Sequence, residues 1–105
     1  MRANSIERGE DTPPVIKLFT PDAQATWLLS EIDADDVMFG LCDLGMGSPE
    51  LGYVYLGELQ EVRGPLGLPI ERDLHWTATA PMSAYADAAR AAGRIVDRLP
   101  APATL

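Results

Sequence analysis

The stretch from Pro14 to Trp76 constrains the fold more than any other part of this chain. Short apolar runs alternate in it with acidic turns and with turns rich in Gly and Pro. Runs of this length bounded by turn residues are typical of β-strands. The predicted strands are Val15–Phe19, Thr26–Ile32, Val37–Leu44, Gly52–Leu56 and Leu74–Thr79. Between the last two, leucine and valine recur at every third position, which predicts a short helix over Leu56–Arg63.

The region from Met82 to Leu99 is the clearest helical pattern in the sequence. Its apolar residues form one stripe at helical spacing, and its arginines lie on the other side. Hairpin-length connections favour antiparallel pairing of the strands. We therefore predict an α+β domain with a small antiparallel sheet of four to five strands. A long C-terminal helix is expected on one face of the sheet, together with one short helix.

Chain length and composition indicate a single domain. The chain has 105 residues, of which 47% are hydrophobic and 23% charged, as in an ordinary globular protein. Residues 1–13 are predicted to be a flexible N-terminal arm, residues 14–99 the folded domain, and residues 100–105 a frayed tail. No signal sequence or membrane span is recognisable, and one cysteine excludes an internal disulfide. The expected location is the cytoplasm, without membrane contact.

The formal net charge is −8, from 16 acidic and 8 basic residues. A field of this sign repels phosphate backbones, so direct nucleic-acid binding is not expected. The charge serves either solubility alone or the binding of a basic protein partner.

The second and third predicted strands specify their own pairing. If Asp33–Asp36 forms the hairpin loop, Leu28 lies opposite Leu41 and Trp27 lies opposite Cys42. Both faces of such a hairpin are then largely apolar, whereas one long helix can cover a single face. The second face is covered by the chain itself, by a partner protein, or by a second copy in a homodimer. The surface centred on Trp27 is therefore the predicted interface in the last two cases.

No catalytic, cofactor or metal site is predicted from the sequence. Zinc sites use sets of about four Cys and His ligands, and this chain has one Cys, Cys42, and one His, His75. The acidic loop lacks the third ligand and the glycine of an EF-hand. Gly45-Met46-Gly47 is followed by Pro49 and a strand, and so does not open a helix as a nucleotide-binding loop must.

One enzymatic alternative stays open at this stage. Carboxylates are the ligands that hard divalent cations prefer, and a metal-dependent enzyme acting on nucleic acid could use four of them. The candidate ligands are Glu31, Asp33, Asp35 and Asp43.

Three segments carry a family resemblance that covers roughly residues 13–96. They are VIKLFTPDAQATWLLSEID, FGLCDLGMGSPELGYVYLGELQEVRGPLGLPIERDLHW and PMSAYADAARAAGRI. The chain resembles the family catalogued as domain of unknown function 2958. The resemblance implies a small protein of a bacterial plasmid, phage or integrated mobile element, and it supplies no catalytic residues. Similar proteins often begin with an extra N-terminal helix, which we expect to be missing or shortened in this sequence.

These observations together favour a non-enzymatic accessory protein of a mobile genetic element that binds another protein. Its sharpest form is an inhibitor of host defence, of the anti-CRISPR or anti-restriction type, that uses an acidic surface. The alternatives are the metal-dependent enzyme and a structural or regulatory homodimer. The predicted partner-binding residues are Trp27, Glu31, Asp33, Asp35, Asp36 and Met38.

Overall fold

The computed structural model describes residues 12–99, which form a five-stranded antiparallel sheet with two helices. The strands are β1 (Ile16–Phe19), β2 (Thr26–Leu29), β3 (Val37–Asp43), β4 (Glu50–Tyr55) and β5 (Glu71–Arg72). The helices are α1 (Leu56–Gln60) and α2 (Met82–Ala92). The strand order across the sheet is β4-β3-β2-β1-β5. The predicted α+β fold is confirmed.

The β2–β3 hairpin has the predicted register. Trp27 pairs with Cys42 and Leu28 pairs with Leu41. The loop is stabilised from within, because Oδ1 of Asp33 accepts hydrogen bonds from the backbone N–H groups of Asp35 and Val37, at 2.8 and 3.0 Å. Asp36 takes a left-handed backbone conformation (φ 62°), which Asp tolerates better than most residues. β2 ends at Leu29, three residues before the predicted end at Ile32.

One face of the sheet packs against α2. Leu28 and Leu41 of the sheet meet α2 residues in a single cluster. The helical members of that cluster are Met82, Tyr85, Ala86 and Ala89, all of them buried. This α2 face holds the main core, as predicted from the apolar stripe.

The opposite face of the sheet is covered by the chain itself. Trp27, Leu29, Met38 and Val54 project from it and pack against Leu59 of α1. Partly buried residues on α1 and in the loop after it complete this second layer: Leu56, Val62 and Ile70. Of the three predicted ways to cover this face, intramolecular packing is the one the structure shows.

The C-terminal helix is shorter than predicted. It ends at Ala92 instead of Leu99, because Gly93 adopts a left-handed conformation (φ 74°) and its N–H bonds to the carbonyl of Ala89 at 2.7 Å. A glycine in this conformation is a common C-terminal stop signal. The chain then folds back, and the Trp76 indole N–H donates to the carbonyl of Asp97 at 2.7 Å.

The predicted fifth strand over Leu74–Thr79 is wrong. The fifth strand is β5, at Glu71–Arg72, which pairs with Leu18 and Phe19 of β1. Residues 74–79 pair with no strand, and their described contacts go to side chains and to other loops. The N–H of Thr79 donates to the Tyr85 hydroxyl at 2.9 Å, and the Trp76 ring packs edge-on against Tyr85, with a centroid distance of 5.7 Å.

Most of the predicted N-terminal arm and the whole of the predicted tail lie outside the described residues. Of the arm, Thr12 and Pro13 are described, and the carbonyl of Thr12 accepts a hydrogen bond from the N–H of Met82 at 2.9 Å. Neither α1 nor α2 is long and apolar enough to cross a membrane, and no other helix occurs in residues 12–99.

Candidate functional site

Acidic side chains gather at the end of the sheet where β2 connects to β3. Glu31, Asp33, Asp35 and Asp36 are all exposed there, at or beside the hairpin loop. The carbonyl of Asp36 accepts a hydrogen bond from the N–H of Leu56 at 2.9 Å. This bond fixes the loop against the start of α1, so the two elements form one continuous surface.

An open groove of 460 Å³ lies between this loop and α1. Its lining is Asp36, Tyr55, Gly57, Glu58 and Glu61. Two carboxylates from α1 and its end thus join those of the loop. Asp36, Glu58 and Glu61 line the groove, and three more exposed carboxylates lie in or beside the adjoining loop. We call these six residues together the acidic end: Glu31, Asp33, Asp35, Asp36, Glu58 and Glu61.

Sequence reasoning placed the loop residues in a partner site but missed Glu58, Glu61 and Tyr55. A signal for the two glutamates is present in the charge pattern. No Lys, Arg or His occurs between Lys17 and Arg63, while nine acidic residues do. The whole segment therefore carries one sign of charge, and every fold that brings its turns together must concentrate negative potential.

Two predicted partner-binding residues do not belong to the exposed site. Trp27 and Met38 are 4% and 3% exposed and lie in the core layer beneath α1. The structure gives no support to their assignment to an interface, because α1 and the following loop already cover the apolar face from which they project. Glu31, Asp33, Asp35 and Asp36 are exposed, and their role in binding stays a prediction.

Aromatic side chains lie next to the acidic end on the α2 face of the sheet. Val37 pairs with Tyr55 and Phe39 pairs with Tyr53 across β3 and β4, and alternation places all four on the same face as Leu41. The Phe39 and Tyr53 rings meet edge-on, with centroids 5.1 Å apart. Tyr53 and Tyr55 are 49% and 53% exposed. We call these four residues the aromatic patch.

The four candidate metal ligands are not brought together. Asp43 is buried at the opposite end of β3 from Glu31, Asp33 and Asp35. Its two oxygens accept hydrogen bonds from the N–H groups of Gly45 and Ile95, both at 2.8 Å. Asp43 thus fastens the segment after α2 to the sheet. Within residues 12–99, no set of three or more His, Cys, Asp or Glu side chains is arranged to hold a metal ion.

Cys42 lacks the environment of a nucleophile. Burial, followed by the nearby Glu50 carboxylate, raises the pKa of its thiol to about 11. Reactive cysteines need the opposite, a lowered pKa in an electropositive setting. His75 is exposed, and its backbone N–H donates to Oδ1 of Asp73 at 3.0 Å.

Lys17 forms the ion-pair cluster of the α2 face. Its ammonium group pairs with Asp73 at 3.2 Å and also with Asp97. Burial alone would lower the pKa of Lys17, but the hydrogen bonds to Asp97 and Asp73 outweigh it and raise that pKa. The pKa of Asp73 is lowered, first by the backbone N–H of His75 and then by Lys17. The cluster joins β1 to the segments after β5 and after α2, so its role is structural.

The fold defines a small α+β protein in which elements of the same chain pack on both faces of the sheet. An acidic and partly aromatic surface lies at one end of this sheet. The chain matches the family model described as protein of unknown function (DUF2958) over residues 1–96. It therefore belongs to that family, as the resemblance of its segments predicted. No curated protein and no solved structure matches it.

Proposed function

We propose that this protein is a non-enzymatic accessory protein of a mobile genetic element that acts by binding a basic protein partner through its acidic end. The observation that carries the proposal is the convergence of loop and helix carboxylates around one open groove. The segment that builds this end contains no cation to neutralise them. Complementary charge speeds encounter with a basic partner and selects against acidic ones.

The sharpest form of the proposal is inhibition of a host defence nuclease or its complex, of the anti-CRISPR or anti-restriction type. Such machines hold nucleic acid in channels lined with Lys and Arg. A compact protein with a net charge of −8 and a concentrated row of carboxylates could occupy such a channel. The support for this form is the sign and the clustering of the charge.

The metal-dependent enzyme gains no support from the geometry, because Asp43 is remote from the other three ligands and its oxygens are engaged by backbone N–H groups. A homodimer that associates through Trp27 is not supported either, because the chain itself buries that side chain.

The test is affinity capture from a bacterial lysate with two matched triple variants. The acidic-end variant carries Asp36→Asn, Glu58→Gln and Glu61→Gln. The control carries Glu50→Gln, Glu71→Gln and Asp87→Asn, which remove the same charge from exposed positions elsewhere. The acidic-end variant should bind the captured partner at least about tenfold more weakly, a change of about 1.4 kcal/mol.

The control variant should bind almost as the unmodified protein does, and added salt should weaken all specific binding because exposed charges are screened. Equal loss in both variants would mean that total charge, rather than this surface, governs binding. Failure to capture any specific protein would count against protein binding altogether.

A further inference from the structure

We propose that the aromatic patch and the acidic end together form one docking surface for a basic amphipathic segment of the partner. This inference rests on the proposed function and adds the chemistry of the bound segment. That segment would place an aliphatic or aromatic side chain on the patch and its Lys or Arg side chains against the carboxylates.

The apolar part of the surface is built on two paired strands, which fix the register of its side chains. Val37 and Tyr55 are cross-strand partners, as are Phe39 and Tyr53. Among residues 12–99, these four belong to neither of the two buried clusters. Tyr55 is 53% exposed, and tyrosine with one apolar surface and one polar tip is enriched in binding interfaces.

The charged part of the surface is continuous with the apolar part. Val37 directly follows Asp36 in the chain, and Tyr55 itself lines the groove with Glu58 and Glu61. A bound cation in the groove would contact the Tyr55 ring as well as the carboxylates, and both interactions favour Lys or Arg. An apolar centre bordered by polar groups is the usual anatomy of a protein interface.

Charge decides among the possible occupants. A second copy of this chain would bring carboxylates opposite carboxylates around the patch, which is unfavourable. Nucleic acid and anionic lipid surfaces carry the same sign and are repelled. A basic amphipathic protein segment can place cations against the carboxylates and an apolar side chain on the patch.

Two synthetic peptides of equal length and equal positive charge test the proposal against the full chain. One combines lysine with leucine and tryptophan in an amphipathic pattern, and the other combines lysine with serine and glycine. Fluorescence anisotropy should show the amphipathic peptide binding at least about tenfold more tightly. Tyr55→Ser should remove most of that difference, because it should weaken the amphipathic peptide much more than the polar one.

The control is Leu74→Ser, because Leu74 is a strongly exposed apolar side chain (77%) outside the patch. It should change neither affinity. Equal binding of both peptides, or no effect of Tyr55→Ser, would overturn the docking surface. If the acidic-end variant weakened the binding of both peptides in that case, the proposed acidic binding site would remain valid without the docking surface. If that variant weakened the binding of neither peptide, the proposed function would fail as well.

Two further measurements on the same samples can overturn the assignment of the occupant. Sedimentation showing a dimer that Tyr55→Ser dissociates would assign the patch to a second copy. Nuclear Overhauser contacts between Tyr55 and residues 1–11 in the peptide-free protein would assign it to the chain's own N-terminal segment.

Discussion

The α2 face of the sheet has two halves that share strands and side-chain alternation but differ in how far their side chains are exposed. In one half, Leu28 and Leu41 are 0% and 1% exposed beneath α2. In the other, the aromatic patch continues along β3 and β4, and Tyr55 is 53% exposed. Strand alternation assigns a side chain to a face, but only the element packed above it decides whether that side chain is core or surface. This half, in which Tyr53 and Tyr55 are about half exposed, also borders the acidic end, and this coincidence makes it a candidate interface.

The largest expected effect comes from Trp27, on the opposite face of the sheet. Trp27→Ala should lower the free energy of unfolding by about 3–5 kcal/mol, because it empties a packed site beneath α1. Urea unfolding followed by circular dichroism measures the loss. A loss below about 1 kcal/mol would show that α1 does not cover this face in solution.

Leu28→Ala should destabilise the covered half by about 2–5 kcal/mol. Leu28 is completely buried between the sheet and α2, so truncation leaves a cavity. The same urea titration applies, and the protein should still bind its partner at temperatures where it is folded. Loss of partner binding by the folded variant would contradict the assignment of this half to the core alone.

Lys17→Met tests whether the ion pairs with Asp73 and Asp97 hold the segments after β5 and after α2 on the α2 face of the sheet. We expect a loss of about 1 kcal/mol at neutral pH, because Asp73 and Asp97 lose a partly buried partner. Arg90→Met is the matched control, since the Arg90–Asp87 pair is exposed on α2 and should contribute less than about 0.5 kcal/mol.

The same pair of variants has a signature in pH. The pKa of Asp73 is lowered in the folded state, so its stabilising contribution is present above the unfolded pKa of about 4. It is lost as the pH falls through the lower folded value. The His75 N–H, the larger cause of the lowered pKa, remains in Lys17→Met. This variant should therefore make the acid limb of the stability curve shallower without abolishing it, whereas Arg90→Met should leave it unchanged. Parallel acid limbs in the unmodified protein and Lys17→Met would contradict the role of this cluster.

Tyr55→Ala should have the smallest effect on stability, within about 0.5 kcal/mol. Its side chain is half exposed, whereas Leu28 on the same face is buried. Urea unfolding measures this variant beside Leu28→Ala. If the two variants lost similar stability, the two halves would not differ as described.

The hairpin register could be predicted because local rules were sufficient. Four loop residues between two apolar runs leave one pairing that keeps Leu28 opposite Leu41, and Asp33 then stabilises the turn through its own side chain. The two-faced nature of the hairpin followed directly from that register.

The parts that could not be predicted depend on contacts between distant segments. The helix pattern continues past Gly93, but the fold-back is held by Trp76 and Asp43, which are remote in the sequence. The cover over Trp27 depends on how α1 packs, and the groove depends on Asp36 binding the start of α1. Periodicity carries no information on these long-range contacts, whereas the absence of cations between Lys17 and Arg63 was visible in the sequence.

The most direct test of the central claim is a chemical-shift map of the ¹⁵N-labelled full chain titrated with the captured partner or the amphipathic peptide. If the acidic end and the aromatic patch bind the partner, the perturbed amides should cluster at residues 31–39 and 53–61, while those of α2 over Leu28 and Leu41 stay unchanged. Perturbations centred on α2, or spread evenly over the exposed carboxylates of the chain, would contradict that claim.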